Sequence, residues 1–159
     1  MTSPFGRAMA GIGKAVRYEH NLRVFICVSI YVVLFGILSG LEFWAWMACL
    51  MCIGMVMCAE LLNTAVERLC DLVCPEHNGL IRLIKDTSAG GVLMAVTFSA
   101  VVGSVVFFRG VTLEKLWVLT LLHPWLPVVP VVLLVPCVFF IRGSRKSVKE
   151  RPWQLKNQD

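Results

Sequence analysis

The chain has 159 residues, enough for one small domain, and 58% of them are apolar while only 16% carry a charge. That balance excludes an ordinary soluble globule and points to a membrane protein. The formal net charge is +5, but no basic stripe is interleaved with aromatics, so nucleic acid is not expected as a partner.

From Phe5 to Arg23 the pattern is that of an interfacial helix. Phe5, Met9, Ile12 and Val16 recur at helical spacing, while Arg7 and Lys14 face the other way. If that helix continues, Glu19 comes round to the apolar face. If it ends near Tyr18, with His20 and Asn21 marking the end, Glu19 is solvated. Residues 24–41 are long enough for a first span. A basic amphipathic segment precedes them and no convincing small-x-small site follows, which argues against a cleavable signal.

Ser39 to Glu42 reads as a tight turn, and Phe43, Trp44 and Trp46 as an aromatic anchor for the second span, about 43–63. The apolar part of that span reaches Ala59 and delivers Glu60 to the opposite membrane surface. The helix is expected to run on to Val73, where Cys74-Pro75 breaks it. Residues 76–84 read as a connector turning at Asn78-Gly79. The third span covers about 89–108, with Asp86 or Ser88 as its cap. Its slim opening, Ala89-Gly90-Gly91, would let another backbone approach closely. A fourth apolar run, about 117–141, contains Pro124, Pro127, Pro130 and Pro136 and is expected to be irregular and peripheral. A basic tail follows.

The expected architecture is therefore all-α and multi-pass. Residues 1–110 form the main membrane unit, and residues 111–159 an appended span and tail. The excess of Arg and Lys in the tail, together with Arg7, Lys14, Arg17 and Arg23, places both termini in the cytoplasm and the tail against anionic lipid headgroups. Four spans agree with that placement. They also gather Glu19, the segment after Glu60 and Lys85-Asp86 at one surface.

Seven cysteines, mostly within apolar runs, imply no disulfide framework. Cys49 and Cys52 lie in a span, where Cys behaves as a small hydrophobe. Cys70, Cys74 and His77 are close enough in sequence to raise a zinc site, but a second ligand pair is missing.

The stretch that carries chemistry is ELLNTAVERLCD, Glu60 to Asp71. On a helix, Glu60, Asn63, Glu67 and Asp71 fall within a stripe of roughly 80°, and Thr64 shares that face. Three carboxylates and an amide on one face need cations, and a divalent metal with oxygen ligands suits them. The plainer reading is a solvated polar face where a membrane helix enters the cytosol. Glu60 argues against it, because the apolar run MACLMCIGMVMCA leaves this acid at the hydrocarbon boundary. Carboxylates beside a Lys-Asp pair suit phosphoryl transfer, with a lysine as a point charge on phosphate and Glu60 meeting an interfacial lipid hydroxyl. No Walker loop, Gly-rich kinase loop, H-R-D or D-F-G is present. An ion or proton transporter would carry its charges nearer the midplane, and a non-catalytic scaffold would leave the stripe without a purpose.

The run AELLNTAVERLCD (Ala59 to Asp71), then KDTSAGGV (Lys85 to Val92), preceded by FGRAMAGIGKAVRYEHNLR, resembles the prokaryotic integral-membrane diacylglycerol kinase and undecaprenol kinase family. The resemblance implies a surface helix and three spans per protomer, a homotrimer with active sites between subunits, and a place in the bacterial inner membrane. It implies transfer of the γ-phosphate of ATP, with Mg²⁺, to a membrane lipid alcohol on the cytoplasmic side. By the same resemblance Glu60 is the catalytic base, and Glu19 and Glu67 are metal ligands. Asn63 orients substrate or nucleotide, Lys85 and Asp86 contact nucleotide, Asp71 belongs to the substrate site, and Arg7 and Arg17 reach phosphates. The fourth apolar run departs from the family pattern.

Overall fold

The computed structural model describes residues 3–73, 78–110, 121 and 128–142. They form helices α1 (Pro4–Tyr18), α2 (His20–Ser39), α3 (Phe43–Val73), α4 (Gly79–Gly110) and α5 (Val128–Arg142), with no strand among them. By length and apolarity α2, α3 and the Gly79–Phe108 part of α4 suffice to cross a membrane. The expected all-α, multi-pass architecture holds.

The amphipathic helix α1 starts where its caps dictate. Ser3 Oγ accepts the Gly6 amide at 3.1 Å, and Pro4 occupies a position whose missing N–H costs nothing. Phe5, Met9 and Ile12 stay exposed, an apolar stripe with no cover inside the protomer. The helix does not continue to Arg23. Glu19 is extended (φ −96°, ψ 123°), and His20 to Arg23 form the first turn of α2. Of the two readings of Glu19, the helix ending at Tyr18 is the one observed. Glu19 is nevertheless only partly exposed.

At the other end of α2, Gly40 takes the left-handed conformation (φ 60°, ψ 49°) that an L side chain resists. Its amide meets Ile37 O at 3.3 Å and the Leu41 amide meets Gly36 O at 3.2 Å, a Schellman closure. The chain then turns into α3, where Trp44 Nε1 donates to Glu42 Oε2 at 2.7 Å. The tight turn and the aromatic anchor are thus both present. Leu41, Ala45, Cys49 and Val106 form a buried cluster beside this turn, with Val32, Trp46, Val102 and Phe107 packed against it. Phe107 also meets Phe35 edge-on, with ring centroids 4.9 Å apart. The apolar core therefore lies at the end of the bundle away from Glu60.

The helices α3 and α4 pair as a long antiparallel hairpin. α3 has 31 residues and α4 has 32, so each is about 46–48 Å long and overshoots a hydrocarbon core of about 30 Å. The overshoot is the polar half of both helices. Residues 79–84, expected as a connector, are instead the first turns of α4. Asn78 rather than Asp86 or Ser88 starts that helix, accepting the Leu80 amide on Oδ1 at 2.9 Å. The Cys74-Pro75 break lies outside the described residues, and α3 ends just before it. Within the spans the hydroxyls of Ser29, Thr97 and Ser104 donate to carbonyls one turn back, as apolar surroundings require. A Cβ built at Gly90 or Gly91 would meet nothing within 4 Å among the described residues.

The helix α5 packs on α2. Its 15 described residues, with Pro136 inside, extend about 22 Å. Of the expected 117–141 run, the part before Val128 lies outside the described residues except Leu121. Phe140 lies at Arg23 and Cys137 at Cys27, so α5 runs antiparallel to α2 and ends beside the α1–α2 junction.

One close approach gives a direct test of the turn-end packing. A Cβ on Gly36 would lie 2.9 Å from Trp46 Cη2 and 3.1 Å from Leu41 Cδ1. Gly36→Ala is expected to lower stability by about 1–3 kcal/mol through overpacking. Gly13→Ala, which meets nothing within 4 Å, should be neutral or mildly stabilising. Denaturation midpoints of the two variants in micelles check this.

Candidate active site at the polar end of the hairpin

The helix α3 lays its polar stripe down as the spacing predicts. Glu60 is 2% exposed, Asn63 6% and Thr64 4%, although all three are polar and Glu60 ionises. Burying such groups costs on the order of several kcal/mol unless they find partners. Asn63 Nδ2 donates to Glu67 Oε1 at 2.9 Å, which ties two successive turns of the stripe together. Asn21, in the first turn of α2, lies beside the Glu60 carboxyl. Glu60 Oε2 and Asn63 Oδ1 remain buried without a donor among the described residues. Two buried acceptors one turn apart on the same helix face suit a cation or a hydroxyl brought by a bound molecule.

The α1–α2 junction supplies the second wall. Because Glu19 interrupts the helix, its side chain turns toward α3, where Arg68 Nη2 meets Glu19 Oε1 at 3.3 Å, both groups about one-third exposed. The third wall is the start of α4. Lys85 Nζ bonds Asp71 Oδ1 at 2.5 Å across the hairpin, so Lys85 already faces the stripe.

Not every expected residue joins. Asp86 points outward and pairs at 3.9 Å with Arg82, both groups well exposed. Arg7 and Arg17 lie exposed on α1. Cys70 is buried, while Cys74 and His77 lie outside the described residues. Among the described residues no three His, Cys, Asp or Glu side chains gather closely enough to hold a metal alone. The donors present are carboxylate and amide oxygens, which suit a hard cation that takes one or two carboxylates and completes its shell with phosphate oxygens. The orphaned oxygens and that donor chemistry fit Mg²⁺.

Sequence reasoning missed three residues of this region. Asn21 stands two positions after Glu19, where the sequence reads only as a helix-end marker. Arg68, one residue past Glu67, lies on the flank of the stripe and is legible as a partner only once α1 is placed. Arg23 was counted as a topological charge, yet it is 8% exposed. A cation in the first turn of an apolar run is the signal that could have found it.

The profile of the prokaryotic diacylglycerol kinase family matches residues 6–107. The chain is 33% identical over 103 residues to undecaprenol kinase of Bacillus subtilis, covering 65% of this chain and 84% of that one. It is 34% identical over 100 residues to diacylglycerol kinase of Synechocystis sp., covering 62% of this chain and 57% of that one. No solved structure matches it. With its surface helix, its three apolar spans and a carboxylate-amide stripe at their end, the chain belongs to the prokaryotic diacylglycerol kinase family, membrane lipid kinases that phosphorylate an alcohol acceptor.

Proposed function

We propose that the protein transfers the γ-phosphate of ATP to the hydroxyl of diacylglycerol, giving phosphatidic acid, at the cytoplasmic face of a bacterial inner membrane with both termini inside. The observation that carries the reading is Glu60, a buried carboxyl at the boundary whose Oε2 lacks a donor. That oxygen is free to accept the proton of a lipid hydroxyl as the hydroxyl oxygen attacks the γ-phosphorus. The new O–P bond forms as the bond to the bridging oxygen breaks, and the electron pair leaves on the ADP phosphate. Asn21 holds the Glu60 carboxyl in place, and Asn63 offers its unpartnered Oδ1 to the incoming groups.

Glu67 and Glu19 are the residues we assign to Mg²⁺, and Asp71 to the substrate site. The ion, when bound, would draw negative charge off the phosphates. Lys85 serves as a point charge on phosphate, and its bond to Asp71 holds it over the stripe until nucleotide competes for it. Asp86, Arg7 and Arg17 are assigned to nucleotide more distantly. Their exposure suits phosphates arriving from solvent or from a neighbouring subunit of a homotrimer. The basic tail would rest on anionic headgroups. Residues 1–110 would make up the kinase unit and residues 111–159 an appended span and tail.

A second acceptor is favoured by one observation, the relative named undecaprenol kinase, of which the chain covers 84%. A site at the bilayer surface meets only the hydroxyl and its first neighbours, so one slot can serve two lipid alcohols. Turnover of radiolabelled ATP with each lipid in mixed micelles is expected to give product with both. Product from undecaprenol alone, at saturating diacylglycerol, would reassign the acceptor.

Two sets of variants test the roles. Glu60→Gln is expected to lose phosphoryl transfer by at least about a hundredfold while nucleotide binding persists. Near-normal turnover would remove Glu60 as the base. Glu67→Gln and Glu19→Gln should raise the Mg²⁺ concentration for half-maximal rate, whereas Lys85→Ala should raise KM for ATP instead. If all three shift Mg²⁺ dependence alike, the division of roles is wrong.

A further inference from the structure

The side chain of Arg23 is buried and is held by two helix ends. Its Nε donates to Val16 O at 2.6 Å and its Nη2 to Arg17 O, both in the last turn of α1. Its Nη1 donates to Phe140 O at 2.8 Å, in the last turn of α5. The guanidinium also lies 5.1 Å from the centroid of the Phe140 ring. Carbonyls in a last turn have no intrahelical donor and form the negative end of the helix dipole. One guanidinium therefore caps α1 and ties it to α5, and the ring and three carbonyls make its burial tolerable.

The position of that cap matters because of what lies beside it. Residues 19–23 form the elbow between α1 and α2. Within these five residues Glu19 reaches Arg68, Asn21 reaches Glu60, and Arg23 reaches α5. A second contact extends the docking one turn along, where the buried Cys27 thiol lies beside Cys137. The helix α5 lies beyond residues 6–107, the part matched by the family profile.

We propose that α5 is a positioning strap for the reaction centre: docked antiparallel on α2, it completes the cage of Arg23, and Arg23 holds the elbow that presents Glu19 and Asn21 to α3. The proposal rests on the reading of Glu19 as a metal-nucleotide ligand. It assigns Arg23 and Phe140 a positioning role and not a chemical one. It also replaces the expectation of a peripheral last segment. The appended helix is coupled to the site through a single guanidinium.

The test uses the full chain in membrane vesicles and has two separable readouts. The first is an intrachain cross-link. In a variant retaining Cys27 and Cys137 with the other five cysteines replaced by serine, copper-phenanthroline and dioxygen remove two electrons and the two thiol protons are released as the Sγ–Sγ bond forms. A Cys27–Cys137 linked peptide within one chain is the expected product. Absence of the link, or a link only between two chains, would overturn the docking. The second readout is Phe140→Ala, chosen because Arg23→Ala risks misfolding. It should raise the Mg²⁺ requirement for lipid phosphorylation roughly three- to tenfold, the range of a lost cation–π contact, with kcat nearly unchanged. Forming the Cys27–Cys137 link in that background should restore the requirement. An unchanged Mg²⁺ requirement in Phe140→Ala beside an intact cross-link would overturn control of the elbow. Failure of the wild type to phosphorylate either lipid would count against the functional reading, while the cross-link would decide the docking by itself.

Discussion

A carboxylate buried where a spanning helix leaves the bilayer must be matched by donors or cations, and the polar end of this protein is arranged around that need. Glu60 is almost fully covered, yet among the described residues Oε2 has no donor, and Asn21 lies beside the carboxyl. The neighbouring groups follow from the same requirement. Asn63 bridges to Glu67, Arg68 neutralises Glu19, and Lys85 neutralises Asp71. Each ion pair removes a charge that would otherwise repel Glu60. What is left over among the described residues is a pair of buried oxygen acceptors, on Glu60 and Asn63, without donors.

Length is what lets one helix serve both media. The first five turns of α3 after Phe43 are apolar and carry the packing, and the remaining turns carry the stripe. The buried cluster around Leu41, Ala45, Cys49 and Val106 holds the hairpin at the opposite end from the chemistry. Stability and function are thus separated along the helix axis. The wide exposed apolar faces of α3 and α4 are natural for helices surrounded by lipid or by further copies of the chain.

Much of this was legible in the sequence, for identifiable reasons. The spans announce themselves by length, and the stripe by the spacing of Glu60, Asn63, Glu67 and Asp71. The turn at Gly40 and the aromatic anchor beside it are local features with local causes. Features that depend on contacts between distant segments were not legible. Whether Glu19 ended a helix or lay on its apolar face was decided by Arg68, 49 positions away, and by the Arg23 cap on α1. The start of α4 moved from the Asp86 region back to Asn78 because polar residues on an overshooting helix continue it as readily as apolar ones. The fourth segment looked separable from its prolines, yet its end is held by Arg23, 117 positions earlier. Periodicity reports which face of a helix is polar and not which helix will meet it.

On the proposed reading the protein supplies only part of a metal shell, and nucleotide phosphates would complete it. No three acidic, histidine or cysteine side chains among the described residues form a metal site by themselves. Electron paramagnetic resonance of Mn²⁺ in place of Mg²⁺, with the full chain in micelles, measures this directly. The account expects weak Mn²⁺ binding without nucleotide, tight binding when a non-hydrolysable ATP analogue is added, and loss of the tight class in Glu67→Gln. Stoichiometric tight Mn²⁺ binding without nucleotide, unchanged in Glu67→Gln, would contradict it.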